Sequence, residues 1–199
     1  MTTTLYLLRH GTTAANLEDR FAGRSGEALH PEGEEQIRRV GAGLRGRPVS
    51  CVYCSPLPRT VQSAEILGGM LDVRVMAEPG LNEIEIPHWD GLTKETIRER
   101  FGAQYPTWLQ TPHLFRVAGC ETIGLVRERA VRAVERIMAD HAGEALLVVS
   151  HLIVLRALLL HYQGMAISDF RSIKVANGEV FRVSRDAAGA IEVEKVLLG

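Results

Sequence analysis

The amino-acid sequence predicts an α/β fold, a three-layer sandwich whose central, mostly parallel sheet is flanked by helices. Short apolar runs rich in β-favouring residues alternate with longer segments whose apolar residues recur every three or four positions, a pattern typical of strands connected by helices. Residues 145–149 are uniformly apolar, as expected of a central parallel strand covered on both faces. Parallel neighbours in such a sheet are joined by right-handed crossovers.

The N-terminal part of the chain supplies the first three predicted strands and two predicted helices. Proline, glycine and serine residues mark the boundaries between these elements. In chain order we expect a strand over residues 4–8, a polar loop through about Leu29, and a helix from Pro31 that ends at Gly46. A second strand over residues 49–53 follows, and then a helix that is capped by Ser55 and Pro56 and stopped by Gly68 and Gly69. The third strand is predicted over residues 73–76.

Residues 77–119 interrupt this alternation. One short amphipathic helix is predicted near residues 93–101, and aromatic residues among prolines follow it. The length of 199 residues suits one domain with an insertion better than two domains. We therefore interpret residues 1–199 as a single domain and residues 77–119 as a cap-like insertion in it.

The C-terminal part of the chain returns to alternating elements. Its longest predicted helix covers residues 122–141 and carries one apolar stripe among many charged residues. The apolar strand over residues 145–149 comes next, followed by a helix over residues 152–162. Strand patterns around turns then predict antiparallel strands over residues 172–175, 179–184 and 191–197.

Composition excludes several classes of protein. With 46% hydrophobic residues, 24% charged residues and a net charge of -1, the sequence is neither disordered nor a generic basic surface for nucleic acid. The most apolar stretch, residues 152–160, is interrupted by Arg156 and is too short to cross a bilayer. The N-terminus does not resemble a secretory signal. We expect a cytoplasmic protein without nucleic-acid or membrane partners, and the sequence leaves monomer and homodimer open.

The three cysteines predict reduced thiols. Cys51 and Cys54 have CxxC spacing, but on a strand two residues three positions apart point to opposite faces of the sheet. A structural zinc site would also need a second Cys/His pair at similar spacing, and the sequence contains none. A metal or redox role for this motif is therefore the less favoured interpretation.

Ligands of parallel α/β sheets gather beyond the carboxyl ends of the strands. Arg9 and His10 follow the first predicted strand, Arg59 lies shortly after the second, and His151 follows the strand over residues 145–149. Guanidinium groups, imidazoles and helix N-termini all favour phosphate. The sequence therefore predicts an anion site at this edge of the sheet.

A glycine-rich motif over residues 41–46 matches the letters of a dinucleotide-binding fingerprint. That fingerprint requires a strand before it and a helix after it. Here the motif ends a predicted helix and precedes a predicted strand, so we interpret its glycines as helix-terminal.

Five blocks of the sequence form a series in chain order. They are LLRHGTTAAN, LHPEGEEQ, SPLPRTVQSAEIL, LNEIEIPHWDGLT and LLVVSHLIVLRALL. This series resembles the signature blocks of the histidine phosphatase (phosphoglycerate mutase-like) superfamily, and the first block is similar to RHGxTxxN through Arg9, His10, Gly11, Thr13 and Asn16. The resemblance covers nearly the whole chain and implies a phosphatase-type member.

The resemblance implies catalysis through a phosphohistidine, with neither metal nor cofactor. His10 is then the nucleophile, while Arg9, Arg59 and His151 hold the phosphoryl oxygens. Glu83 matches the acidic residue that protonates the leaving oxygen and then activates water. Three further residues are implied as substrate contacts: Thr13 and Asn16 as neutral donors, and Glu121, which equally suits the cap of the following helix.

Several residues depart from the family pattern. Thr12 stands where a glutamate or glutamine is common, and Leu152 replaces the glycine after the site histidine. In the Glu83 block, Pro87 replaces a glycine and Asp90 a glutamate, while Cys120 and Thr122 alter the segment around Glu121. These departures leave the proposed chemical groups in place and bear on the shape of the substrate.

Three functions remain open from the sequence. The leading one is a phosphomonoesterase for a small anionic or sugar-like metabolite. The alternatives are a cofactor-dependent phosphoglycerate mutase, which shares the phosphohistidine, and a catalytically silent phosphate-binding or interaction module. The presence of Ala15 where mutases usually carry tryptophan argues against a mutase. Substrate contact and simple packing are both open for five side chains of the insertion: His88, Trp108, His113, Phe115 and Arg116.

Overall fold

A computed structural model describes residues 1–198 and contains one six-stranded sheet. The strand order is β3-β2-β4-β1-β5-β6. β1, β2, β3 and β4 run parallel to one another. β5 pairs antiparallel with β1, and β6 pairs antiparallel with β5. The strands are β1 (Thr3–Arg9), β2 (Val49–Cys54), β3 (Arg74–Ala77), β4 (Ala145–Ser150), β5 (Val180–Arg185) and β6 (Ile191–Val196).

Seven α-helices surround the sheet in the described part of the chain. Shorter 3-10 helices cover Pro79–Leu81, Pro87–Trp89, Pro112–Leu114 and Ile167–Arg171. The α-helices are α1 (Ala14–Leu17), α2 (Pro31–Leu44), α3 (Pro58–Leu71), α4 (Lys94–Arg100), α5 (Tyr105–Gln110), α6 (Ile123–Asp140) and α7 (Leu152–Tyr162). The predicted three-layer α/β fold with a mostly parallel sheet and antiparallel C-terminal strands is confirmed.

The core lies on both faces of the sheet. Leu146 and Val148 of β4 pack in one cluster with α6, α7 and the aromatic residues of segment 77–119, while Leu147 and Val149 pack in the other with α2 and α3. This alternation is the pleat of a strand that is buried on both sides. Cys51 and Cys54 fall into opposite clusters and are free thiols, as their spacing predicts.

The predicted boundaries of α3 are wrong at both ends. Ser55 does not cap the helix, because Leu57 occupies the N-cap without a side-chain hydrogen bond. Gly68 does not stop the helix either; a Cβ there would lie 2.6 Å from Cγ2 of Val75, so this glycine lets α3 approach the sheet. The helix ends at Asp72, which adopts the left-handed conformation with φ of 55°.

Residues 172–175 are not the predicted strand. The preceding 3-10 helix extends into this segment, since the Ser172 amide donates to the Asp169 carbonyl. The carbonyls of Ile173 and Val175 then accept hydrogen bonds from Arg156 at 2.8 Å and from Arg9 at 2.9 Å. Arginine side chains therefore take the place of a strand partner.

The loop after β1 and segment 77–119 contain structure that the sequence did not predict. α1 lies within the predicted polar loop, where Thr13 and Asn16 form a capping box. In segment 77–119, Trp89 packs edge to face against Phe21, Tyr105 and Trp108.

Within residues 1–198, no helix has the length and apolar character to cross a membrane.

Candidate active site

The two central strands place His10 and His151 side by side. In the parallel pairing of β1 with β4, Arg9 is opposite Ser150, so the residues after them leave the sheet together. The amide of His10 donates to the Ser150 carbonyl at 3.0 Å. The imidazole centroids are 5.2 Å apart. The candidate site therefore lies at the carboxyl edge of the sheet, as parallel α/β folds favour.

His10 is held as a neutral imidazole. Its Nδ1 lies 2.7 Å from the carbonyl oxygen of Gly11, so Nδ1 carries the proton and donates, and Nε2 keeps its lone pair. Burial lowers the pKa of His10 well below its usual value, and the charges of Arg59 and Arg9 lower it further. A neutral ring with a free Nε2 lone pair is the form that attacks phosphorus.

The loop after β1 is fixed by close backbone packing and by one distant asparagine. A Cβ on Gly11 would lie 2.5 Å from the Gly33 carbonyl oxygen, so this position has no room for a side chain. Nδ2 of Asn177 donates to the His10 carbonyl and to Oδ1 of Asn16, each at 3.0 Å. Asn177 thereby ties the loop that carries His10 to the segment just before β5.

The two sequence-predicted neutral donors differ in their placement. Asn16 lines the cavity beside His10. The hydroxyl of Thr13 donates to Glu27 at 3.3 Å and accepts from the Asn16 amide at 3.4 Å, and this residue is fully buried. Thr13 therefore orders the α1 cap rather than presenting a free hydroxyl to the cavity.

His151 is positioned by Ser55. Its Nε2 is hydrogen bonded to Oγ of Ser55 at 2.8 Å, and the Ser55 hydroxyl contacts Asn82 at 2.8 Å. Nδ1 of His151 is buried without a partner within residues 1–198. Burial, followed by the charge of Arg59, lowers the pKa of His151 well below its usual value. Because the Ser55 hydroxyl donates to Asn82, it accepts from Nε2 of His151, so Nδ1 is the ring atom left for a bound anion and donates to it only when the ring is protonated.

Two arginines beside His10 carry charges that no carboxylate of the described residues pairs. Arg9 donates from Nη1 to the Val175 carbonyl, and its Nε is buried without a partner. Arg59 donates to the Gly23 carbonyl at 2.7 Å and to the Ser25 carbonyl at 3.2 Å. Burial lowers the pKa of Arg9 to about 10 and also lowers the pKa of Arg59. Both guanidinium groups nevertheless remain charged at neutral pH. Buried cations of this kind favour an anionic ligand.

Glu83 faces the same cavity from the segment after β3. Its Oε1 accepts from the Ile84 amide at 2.7 Å, and its Oε2 accepts from the Ile153 amide at 3.4 Å, in the first turn of α7. Burial raises its pKa, although these hydrogen bonds and Arg59 act in the opposite direction. A carboxyl group with a raised pKa is suited to donate a proton near neutral pH.

Glu121 lies behind Glu83 rather than in the cavity. It accepts hydrogen bonds from Arg24 at 2.9 Å and from Arg129 at 2.7 Å. Both arginines donate to the Glu83 carbonyl, at 3.0 and 3.1 Å. Thr122, not Glu121, caps α6. Glu121 therefore holds the backbone of the candidate acid through two arginines.

The site opens into a cavity of about 490 Å³. Segment 77–119 supplies one wall, and Leu152, which stands where the family pattern has glycine, projects into it. Trp108 lines the cavity, whereas His88, His113, Phe115 and Arg116 do not; His88 instead contacts Gln104 at 2.8 Å. From segment 77–119 the lining residues are Glu83, Lys94, Ile97, Tyr105, Trp108 and Leu109.

The sequence profile of the histidine phosphatase superfamily (branch 1) matches residues 5–196. The chain belongs to this superfamily. Among the relatives of this histidine phosphatase, phosphoserine phosphatase 1 of Hydrogenobacter thermophilus is 27% identical over 173 residues, which cover 87% of this chain and 82% of the relative.

Two further relatives extend the comparison. The 2-carboxy-D-arabinitol-1-phosphatase of Triticum aestivum is 30% identical over 86% of this chain, but the match covers only 34% of the plant protein. The solved structure of YhfR from Bacillus stearothermophilus is 30% identical and superposes with a TM-score of 0.92, covering 97% of this chain and 96% of that structure. This histidine phosphatase therefore shares its whole described fold with a bacterial relative.

Several residues of this histidine phosphatase site escape sequence reasoning. Ser55, in the SPLPRT block, orients His151, and its place in that block is the only local signal. Asn177 lies in an Asn-Gly turn, which predicts a turn but not a contact with His10. Arg156 and Arg171 also line the cavity; Arg156 lies within the LLVVSHLIVLRALL block but at none of the positions that carry the resemblance, and Arg171 lies outside the blocks.

Proposed function

We propose that this histidine phosphatase is a phosphomonoesterase that acts through a phosphohistidine on His10. The observation that carries the proposal is the neutral His10, whose unprotonated Nε2 adjoins two arginines without carboxylate partners in a cavity that also contains Glu83. Phosphatase names among the relatives, such as phosphoserine phosphatase 1, support hydrolysis of a small phosphate ester. No metal or organic cofactor enters the proposed steps.

The first step forms a bond between Nε2 of His10 and phosphorus. The bond from phosphorus to the ester oxygen breaks in line, and the departing oxygen takes the proton of Glu83. The Nδ1 proton, held by the Gly11 carbonyl, stabilises the ring as it becomes cationic. Arg9, Arg59 and His151 hold the three equatorial oxygens, where charge spreads in the transition state.

The second step returns both groups to their starting state. Glu83, now a carboxylate, removes a proton from water as the water oxygen attacks phosphorus. The bond between phosphorus and Nε2 breaks, and its electron pair stays on His10. Inorganic phosphate leaves, and Glu83 is protonated again, so no redox partner is needed.

We further propose that residues 1–199 act as one domain in which segment 77–119 is the cap that sets substrate choice. Trp108, Tyr105 and Leu109 of this segment line the cavity opposite the chemical groups. Within the chemical edge we assign substrate contact to Asn16, and we assign positioning roles to Thr13 and Glu121, since their side chains bond to neighbouring protein groups.

The test is hydrolysis of p-nitrophenyl phosphate in the presence of EDTA. The protein is expected to turn over this activated ester, and His10→Ala is expected to lose at least about 10³-fold of kcat, since removal of a covalent nucleophile leaves only binding and electrostatics. His161→Ala, which removes an exposed histidine outside the cavity, is the matched control. Acid quenching should trap an acid-labile phosphoryl group on the wild-type protein only. Full activity of His10→Ala contradicts the mechanism.

A further inference from the structure

The cavity contains two arginines that the proposed chemistry does not use. Arg9 and Arg59 flank His10, whereas Arg156 lies on α7 and Arg171 ends the 3-10 helix before β5. The two remaining cations that line the cavity are paired with carboxylates: Lys94 pairs with Asp19, and Arg20 pairs with Glu18 at 2.7 Å. Arg156 and Arg171 have no carboxylate within salt-bridge distance among residues 1–198.

Arg156 is buried and held in one orientation. Its Nε donates to the Ile173 carbonyl at 2.8 Å, and its guanidinium lies 5.7 Å from the ring centroid of Phe170. Only 8% of the residue is exposed. Within the described residues, the two terminal nitrogens of this guanidinium have no hydrogen-bond partner, so a pair of N–H donors is left for a ligand.

Arg171 is fixed against segment 77–119. It donates from Nη2 to the Trp108 carbonyl, and its guanidinium lies 5.6 Å from the Trp108 ring centroid. Its Nε is buried without a partner in the described chain. Arg171 therefore links the end of the 3-10 helix to the cap segment while keeping unused donors.

A buried cation with a half-buried cation beside it, neither of them paired with a carboxylate, is costly unless an anion joins them. Burial lowers the pKa of Arg156 to about 10, and the charge of Arg171 is the next cause of that shift. Arg156 nevertheless remains charged at neutral pH. The site is thus built with a positive charge that the protein itself does not balance.

We propose that Arg156 and Arg171 bind a carboxylate on the alcohol part of the substrate, so that the preferred substrate is a phosphate monoester of a short hydroxy acid. Guanidinium groups anchored by a carbonyl and an aromatic ring present paired donors that match a planar carboxylate. Arg156 follows Ile153, whose amide holds Glu83, by three residues, or about 4.5 Å along a helix. An ester oxygen at Glu83 and a carboxylate at Arg156 are then separated by a few bonds.

This inference rests on the proposed phosphatase function. A matched series of substrates distinguishes failure of the carboxylate site from failure of the phosphatase function. The series is propyl phosphate, its analogue with a terminal carboxylate (3-phosphooxypropanoate) and its analogue with a second phosphate (propane-1,3-diyl bisphosphate). We expect kcat/KM for the carboxylate ester to exceed that for propyl phosphate by about tenfold or more, as charged hydrogen bonds contribute. In Arg171→Gln this ratio should fall toward one.

Controls identify which proposal fails. Arg39→Gln, which removes an exposed arginine of α2, should keep the wild-type ratio. Arg171→Lys retains the charge but not the fork, and should give an intermediate ratio. Equal kcat/KM for the carboxylate and neutral esters, or preference for the bisphosphate, overturns the carboxylate site while leaving the phosphatase intact.

A binding measurement covers the case in which no ester is hydrolysed. Calorimetric titration of His10→Ala with each ester reports recognition without turnover. Tighter binding of the carboxylate ester, lost when Arg171→Gln is added, supports the carboxylate site even if the phosphatase proposal is wrong. Equal affinity for the carboxylate and neutral esters overturns it.

Discussion

Arg59 donates a hydrogen bond from Nε to Nε2 of His10 across 3.3 Å. Arg59 therefore directs its positive charge at the lone pair that the proposed mechanism uses. A phosphoryl group entering between them takes over the arginine donor and leaves the lone pair free to attack. Arg59 thus opposes protonation of His10 and, in the proposed mechanism, also binds the substrate anion.

Replacement of Arg59 should change the rate and the titration of His10 together. Arg59→Gln removes a transition-state donor and is expected to lower kcat/KM for p-nitrophenyl phosphate by about 10²- to 10³-fold. Because the Arg59 charge lowers the pKa of His10, the same variant should raise that pKa. NMR titration of the His10 ring measures the shift. With Arg39→Gln as control, an unchanged His10 pKa contradicts the electrostatic role.

Replacement of Glu83 should depend on the leaving group. Glu83→Gln is expected to slow hydrolysis of alkyl phosphates by about 10²- to 10⁴-fold, and p-nitrophenyl phosphate less, because nitrophenolate needs little protonation. The raised pKa of Glu83 places loss of the acid on the alkaline side of the pH profile, as the proton leaves with rising pH. Glu83→Gln should lack this limb. Glu128→Gln, at an exposed carboxylate of α6, serves as the control.

The buried histidines should make the fold sensitive to acid. The folded pKa values of His10 and His151 lie well below the ordinary value of 6.5, so below pH 6.5 the unfolded chain binds protons that the folded chain does not. The free energy of unfolding should therefore fall with pH from about 6.5 down to the folded pKa, by about 1.4 kcal/mol per pH unit for each histidine.

Urea unfolding between pH 6.5 and 5 measures this dependence. His151→Gln removes one of the two titrating rings and should reduce the slope by up to that amount. Glu83, whose raised pKa acts in the opposite direction, is present in both proteins and cancels in the difference. Identical slopes in the two proteins would show that His151 is not buried in the neutral form.

Asn177 should act on the nucleophile through position alone. Asn177→Ala removes the donors to the His10 carbonyl and to Asn16, and we expect kcat to fall by about tenfold as the loop loosens. A positioning role predicts a larger effect on kcat than on KM, whereas a substrate contact moves KM. Asn177→Asp keeps the shape but removes the donor nitrogen, so it should not restore kcat.

Elements with a strong local pattern were predictable from the sequence. The uniformly apolar β4 and the following α7 agree with the predicted spans within one residue, because burial on all sides leaves a continuous apolar pattern. His10 and His151 could be placed at one edge of the sheet because each directly follows a parallel strand. The topology of parallel strands then requires them to meet.

Contacts between distant residues had no such local pattern. Residues 172–175 resemble a strand in sequence, but Arg9 and Arg156 take the carbonyls that a neighbouring strand would need. The capping role of Thr13 depends on Glu27, and the placement of Glu121 depends on Arg24 from the loop after α1. Partners that are distant in sequence determine the orientations of these side chains. The spacing of residues along the chain does not predict such contacts.

The pairing of β1 with β4 has a consequence for divergence within this fold. Strand separation in a sheet is set by backbone hydrogen bonds at about 4.8 Å, whatever the side chains are. The distance between the two histidines is thus inherited from the main chain and not from the loops around the cavity. The loops that surround the cavity can therefore change in sequence, and related proteins can differ in substrate preference, while the spacing of the two histidines stays the same.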